Sequence, residues 1–163
     1  IYQDAIRLLE EAKQRESALA QKSDALLGRI DDILSSREAV VIPIPEGAPS
    51  ISAKVLLDGR MEETFVIDTG ATYTAISETL ARRLGYAFER GERINVTTAA
   101  GRMQVRRIRL VSVSLQGYAV HNLPVIVLPD SKGRSINLLG LNFLNYFKYS
   151  VDSARGEFRL ERP

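Results

Sequence analysis

The sequence predicts an all-β domain, a closed barrel of short strands with one or two short helices, preceded by a long N-terminal α-helix. Three observations lead there. Residues 2 to about 36 are rich in Ala, Leu, Glu, Lys, Arg and Gln and hold no proline, the composition of an uninterrupted helix. Val40-Val41-Ile42-Pro43-Ile44-Pro45, followed by Glu46-Gly47-Ala48-Pro49, ends that pattern. Beyond it, short runs alternate apolar and polar residues between glycine-bearing turns, as many short strands would. The expected division is a helix over 1–38, a linker over 39–49 and a β domain over 50–163.

The helical segment has a period of its own. Ala5, Ala12, Leu19, Leu26 and Ile33 recur at seven-residue steps, with Leu9 and Ile30 at the complementary position. This is the seam of a coiled coil, interrupted at Glu16 and Ser23. A short, imperfect coiled coil is expected, with packing of the helix on its own β domain as the alternative. If the helix pairs, it raises the effective concentration of the attached domains.

In the β region, Ser50 to Leu57 alternates and meets Asp58-Gly59, so that it pairs as a hairpin with the run Glu62 to Asp68. Ser77 is suited to cap a short helix reaching Leu84, with Leu80 and Leu84 on one face and Gly85 as its stop. Strands are expected over Glu92 to Ala99, Gly101 to Val113 and Tyr118 to Leu128, then a polar loop from Asp130 to Arg134. A buried strand over Ile136 to Leu139, a short helix over Leu141 to Phe147 and two last strands, Lys148 to Asp152 and Glu157 to Glu161, complete the order. No internal repeat is visible.

Bulk composition narrows the function. With 163 residues, 45% apolar and 26% charged, the chain has the make-up of one folded domain with a small appendage. A net charge of +2 and the absence of a basic run with interleaved aromatics argue against nucleic acid as partner. The arginines 102, 106, 107 and 109 would be divided between two faces of a strand. Zero cysteines remove disulfides, thiolate catalysis and cysteine-ligated metal. His121, the one histidine, has no second imidazole for a Ser-His-Asp or histidine-rich metal site and reads as an exposed edge residue. No apolar stretch approaches the roughly 20 residues that span a bilayer. The chain begins at Ile1 rather than methionine, which leaves room for a membrane tether upstream of Ile1.

The chemistry concentrates at Asp68-Thr69-Gly70-Ala71-Thr72, directly after Phe65-Val66-Ile67. A strand there delivers one carboxylate to a tight turn, and Gly70 lets the backbone fold back beside it. Thr69 and Thr72 supply hydroxyls able to orient neighbours through side-chain to backbone hydrogen bonds. Some seventy residues later comes Ile136-Asn137-Leu138-Leu139-Gly140-Leu141-Asn142-Phe143-Leu144.

These two elements resemble the retropepsin-like family, the single-domain aspartic proteases of retroviruses together with their bacterial branch. The resemblance covers about residues 40–163. It implies a homodimeric aspartic endopeptidase in which each subunit supplies one Asp68, the pair sharing a proton across a bound water. It also implies that Leu138, Leu139 and Gly140 brace the catalytic loop from below, and that Thr69 reaches the other subunit. Ala71, where some relatives place a hydroxyl, implies a less acidic pair and activity at mildly acidic pH. The flap of such an enzyme would be the hairpin tip Thr98, Ala99, Ala100, Gly101 and Arg102, closing over an extended peptide. Ala71, Ile76 and Val125 or Ile126 are candidates for pocket walls. No cofactor and no metal are implied. The habit of bacterial relatives places the chain in the cell envelope or periplasm, with the cytoplasm left open. Two alternatives stand beside the enzyme: a catalytically inactive dimerisation or peptide-binding module of the same fold, and a coiled-coil adaptor built on the helix.

Overall fold

The computed structural model describes residues 2–35, 39–98, 101–130 and 135–163, with side chains of the first helix described as far as Arg29. The chain divides into two units, Ile1–Glu38 and Ala39–Pro163. The first is one helix, α1 (Tyr2–Ser35), with Asp4 in its first turn, where a carboxylate complements the helix dipole. Arg7 and Glu11 pair across one turn at 3.6 Å. The apolar seam of α1 is open to solvent: Leu9 is 63%, Leu19 68% and Leu26 58% exposed.

The second unit runs β1 (Val40–Pro43), β2 (Ile51–Leu57), β3 (Met61–Ile67), β4 (Ala75–Ser77), α2 (Glu78–Arg83), a 3-10 turn (Phe88–Arg90), β5 (Glu92–Thr98) and β6 (Gly101–Leu115). It continues with β7 (Tyr118–Leu128), β8 (Leu138–Leu139), α3 (Leu141–Leu144), β9 (Lys148–Asp152) and β10 (Glu157–Glu161). One sheet has the order β1-β10-β9. The other has the order β2-β3-β8-β4-β7-β6-β5, and an extra pairing of β2 with β6 closes six of its strands into a ring with β5 outside it.

Local chemistry accounts for the joints. At the β2–β3 turn both Asp58 (φ 51°) and Gly59 (φ 64°) take positive φ, which matches the twist of a hairpin. The Asp58 carboxylate then ties that turn to β6, accepting from Tyr86 Oη at 2.8 Å and from the Ser112 amide at 3.2 Å. Burial, reinforced by this carboxylate, holds the Tyr86 phenol above its ordinary pKa, so it remains a donor. Ser77 caps α2, its hydroxyl accepting from the Leu80 amide at 3.1 Å. The other end of β7 is anchored to α2 by Asp130, which accepts from the Thr79 hydroxyl at 2.6 Å and from Ser135 at 2.7 Å. The rest of the expected polar loop, 131–134, lies outside the described residues.

The main core gathers Leu57, Phe65, Ile76, Leu110, Leu139, Phe143, Phe158 and Leu160 among its buried members. Val40 and Ile42 belong to it, which corrects the linker expected over 39–49. Residues Val40–Pro43 form a strand because Val40 and Ile42 alternate into the core and pair with Leu160 and Phe158 of β10. Pro43, read from sequence as a breaker, sits at the end of an edge strand, where its missing N–H costs no ladder bond. Two expected elements are shorter than predicted: the strand over 136–139 is Leu138–Leu139, and the helix over 141–147 is Leu141–Leu144.

Candidate active site

Asp68 is the first residue after β3, half-buried where the strand leaves the sheet. Its backbone N–H donates to the Leu139 carbonyl at 3.0 Å, so the position of the carboxylate is set by β8. Its Oδ1 accepts from the Gly70 amide at 2.8 Å, a bond that orients the carboxylate across the turn. A Cβ on Gly70 would lie 3.2 Å from that same oxygen, so any larger residue presses on the carboxylate. Ala71 closes the turn by donating its N–H to the Asp68 carbonyl at 3.2 Å. Ala71 itself is half-buried, while Thr69, Gly70 and Thr72 are exposed.

The loop is held from behind by the second motif. β8 runs parallel to β3 with Val66 opposite Leu138 and Ile67 opposite Leu139, and antiparallel to β4 with Ala75 opposite Leu138. Directly after it, the amides of Leu141 and Asn142 donate to the carbonyls of Ala71 and Thr72 at 2.8 and 3.1 Å. Gly140 permits this approach. A Cβ there would sit 2.5 Å from the Tyr73 carbonyl carbon and oxygen and 2.8 Å from the Thr74 nitrogen. Its φ of −95° is ordinary, so glycine is required for space rather than for conformation.

Three polar residues to which the sequence assigned no role complete the support. Thr74, fully buried, accepts the Gly140 amide on its hydroxyl at 3.2 Å. Asn142 accepts from the Thr74 amide at 2.7 Å and donates to the Pro124 carbonyl at 2.6 Å, joining loop, α3 and β7. Asn137 accepts from the Ser77 amide at 3.0 Å. The hydroxyls of Thr69 and Thr72, expected to orient neighbours, make no such bond among the described residues. Thr74 supplies the orienting hydroxyl, because it alone of the three points inward. The available signal was the pair of asparagines flanking an apolar-apolar-glycine core segment, since a polar residue beside such a segment needs a buried partner.

The β5–β6 hairpin has Thr98 opposite Gly101 as its last rung. Ala99 and Ala100 of the expected flap lie outside the described residues. The Thr98 hydroxyl donates to the Gly101 carbonyl at 3.1 Å. Arg102 is exposed and pairs across the ladder with Thr97. Alternation puts Ile94, Val96, Met103 and Val105 on one face of the hairpin. There they join a second apolar cluster with Tyr73, Ala75, Ile126, Leu128 and Leu138, separate from the main core. The hairpin and the strand that follows the Asp68 loop thus pack on one another through this cluster. Arg107, its pKa raised by hydrogen bonds to Glu92 and Tyr73, links β6 to β5 and to the segment after the Asp68 turn. Of the expected pocket walls, Ala71 is half-buried in the turn, Ile126 is buried in this second cluster, and Ile76 and Val125 are fully buried in the main core.

Comparison with known proteins agrees with this architecture. The family described as "gag-polyprotein putative aspartyl protease" matches residues 53–146, more than half of the chain and a span running from β2 through α3. The chain belongs to the retropepsin-like aspartic protease family. Among solved structures it is similar to a retropepsin-like aspartic protease from Rickettsia conorii, with a TM-score of 0.63 and 24% identity over 77% of this chain and 91% of that one. At that identity the likeness speaks for the fold. No curated protein matches significantly. In this retropepsin-like chain the Asp-Thr-Gly turn and the Leu-Leu-Gly strand are thus neighbours in space, joined by backbone bonds on both sides of Gly140. Each chain carries one such turn, and among the described residues no group of His, Cys, Asp and Glu could hold a metal ion.

Proposed function

We propose that the chain is a homodimeric aspartic endopeptidase whose active site is made of two Asp68 residues, one from each subunit. The observation that carries this reading is the Asp68 turn itself. A half-buried carboxylate is aimed by Gly70 and fixed by Leu139, while the adjoining Thr69, Gly70 and Thr72 stay exposed, as a surface awaiting a second copy would. Two carboxylates meeting there cannot both ionise cheaply, so they hold one proton between them. The ionised Asp68 takes a proton from a water, whose oxygen attacks the scissile carbonyl carbon. The carbonyl π pair moves to oxygen, which takes the proton of the other Asp68. The tetrahedral diol then collapses, the C–N bond breaks, and the amine nitrogen leaves with a proton returned from the pair. The exposed Thr69 hydroxyls tie the two turns together across the subunit boundary. The β5–β6 hairpin acts as the flap. Val96 and Met103, partly exposed on it, favour substrates with apolar side chains beside the scissile bond.

The test compares wild type with Asp68→Asn on a peptide library between pH 4 and 7, over protein concentrations that span dimer formation. Cleavage should vanish with the substitution and fall faster than linearly on dilution. Cleavage that survives Asp68→Asn sinks the mechanism, and a specific activity independent of concentration while the chain sediments as a monomer sinks the shared site.

A further inference from the structure

The exposed face of α1 has a charge pattern that determines what it can pair with. Its seam alternates Tyr2, Leu9, Glu16 and Ser23 with Ala5, Ala12, Leu19 and Leu26, and the large apolar members are exposed. The two columns flanking the seam differ. One consists of Leu8, Arg15, Lys22 and Arg29, and the other of Ile6, Lys13, Ala20 and Leu27. In an antiparallel pair each flank meets its own copy, so Arg15, Lys22 and Arg29 would face one another as like charges. In a parallel pair each flank meets the other, which sets Arg15 against Ala20 and Lys22 against Leu27 of the partner subunit and leaves no cation facing a cation.

From this we infer that α1 pairs with α1 of a second copy, parallel and in register, and that this pairing launches both protease units from the same end. The choice of a second copy as occupant rests on the two-subunit reading of Asp68. Connectivity supports the same orientation. A helix of 34 residues is about 50 Å long. Since β1 begins at Val40, only a few residues past Ser35, antiparallel helices would send the two units off from opposite ends of that length. Glu16, a flaw when the seam is read as a hydrophobic stripe, has a use in this arrangement. Each Glu16 lies beside Arg15 of the other helix, and a shift by one heptad would set one Glu16 against Leu9 and Leu8, with no cation beside it, and leave the other beside Lys22. A polar layer of this sort trades affinity for register.

The chain has no cysteine, so single introduced thiols report the arrangement directly. The experiment uses the full chain carrying Asp68→Asn, which removes self-cleavage and keeps the outcome apart from the question of activity. Under mild oxidation Ala12→Cys and Leu26→Cys chains should each cross-link with themselves, while Gln14→Cys, on the outer face, should stay monomeric on denaturing gels. A mixture of the Ala12→Cys and Leu26→Cys chains should give only the two like-with-like products, because in register the unlike positions are about 20 Å apart. A mixed product overturns the parallel orientation. Absence of all products in a chain that still sediments as a dimer overturns the helix as an interface. A Glu16→Leu chain should dimerise at least tenfold more tightly, and Leu19→Glu at least tenfold more weakly; unchanged affinity in both overturns the seam.

Discussion

Asp68 is aimed by two neighbours, and the consequences of altering each are separable. Asp68→Asn should lower peptide cleavage by about 10²–10⁴-fold or more while leaving thermal stability nearly unchanged, since its backbone bonds survive. Gly140→Ala should do the reverse in origin. Its methyl would meet the Tyr73 and Thr74 backbone at 2.5–2.8 Å, and the loop or β8 must move. A loss of about 1–3 kcal/mol or more is expected in urea unfolding, with activity lost alongside. Thr74→Val removes the acceptor for the buried Gly140 amide and should cost about 1–3 kcal/mol, whereas Thr74→Ser should retain most of that. At this scale the motif residues were legible, because Asp-Thr-Gly and Leu-Leu-Gly are local patterns. Thr74, Asn137 and Asn142 were not, since what makes them matter is an amide 60–68 residues away.

Elements show the same division. The strand pairs β5–β6, β6–β7 and β9–β10 follow from alternation and glycine turns alone. β1 did not, because Pro43 and the nearby Pro45 outweighed a burial pattern visible only once β10 lies beside it. Ile42→Ala should therefore destabilise the unit by about 2–5 kcal/mol, and a chain trimmed to 50–163 should unfold at lower urea than one beginning at Ala39. Asp130 gives the α2 anchor a pH dependence. Hydrogen bonds from Thr79, then Ser135, hold its pKa below the ordinary 3.8. A lowered folded pKa means the anchor contributes fully above the unfolded value and fades as pH falls through the folded one. The difference in thermal stability between wild type and Asp130→Ala should hold through the mildly acidic range expected for activity, and close at lower pH.

For the molecule as a whole, the proposed pairing of two copies makes activity depend on protein concentration. Removing 1–38 should leave the retropepsin-like unit folded and, if α1 promotes pairing, shift the activity curve to higher protein concentration by about 10²-fold or more, the scale on which a second linked contact acts. Maximal activity at saturating concentration should be retained. What the amino-acid sequence determined by itself was everything carried by short-range pattern: the long helix with its seven-residue seam, the order of short strands, the Asp68 turn and the family it resembles. Tertiary structure alone decided where the β unit begins, which hydroxyl orients the loop, why Gly140 has no room for a side chain, and which apolar residues form a second cluster apart from the main core. The reason is physical. Alternation and turn chemistry depend on neighbours in the chain, while burial, close backbone approach and the partner of a polar group depend on segments that meet only after the sheet has closed.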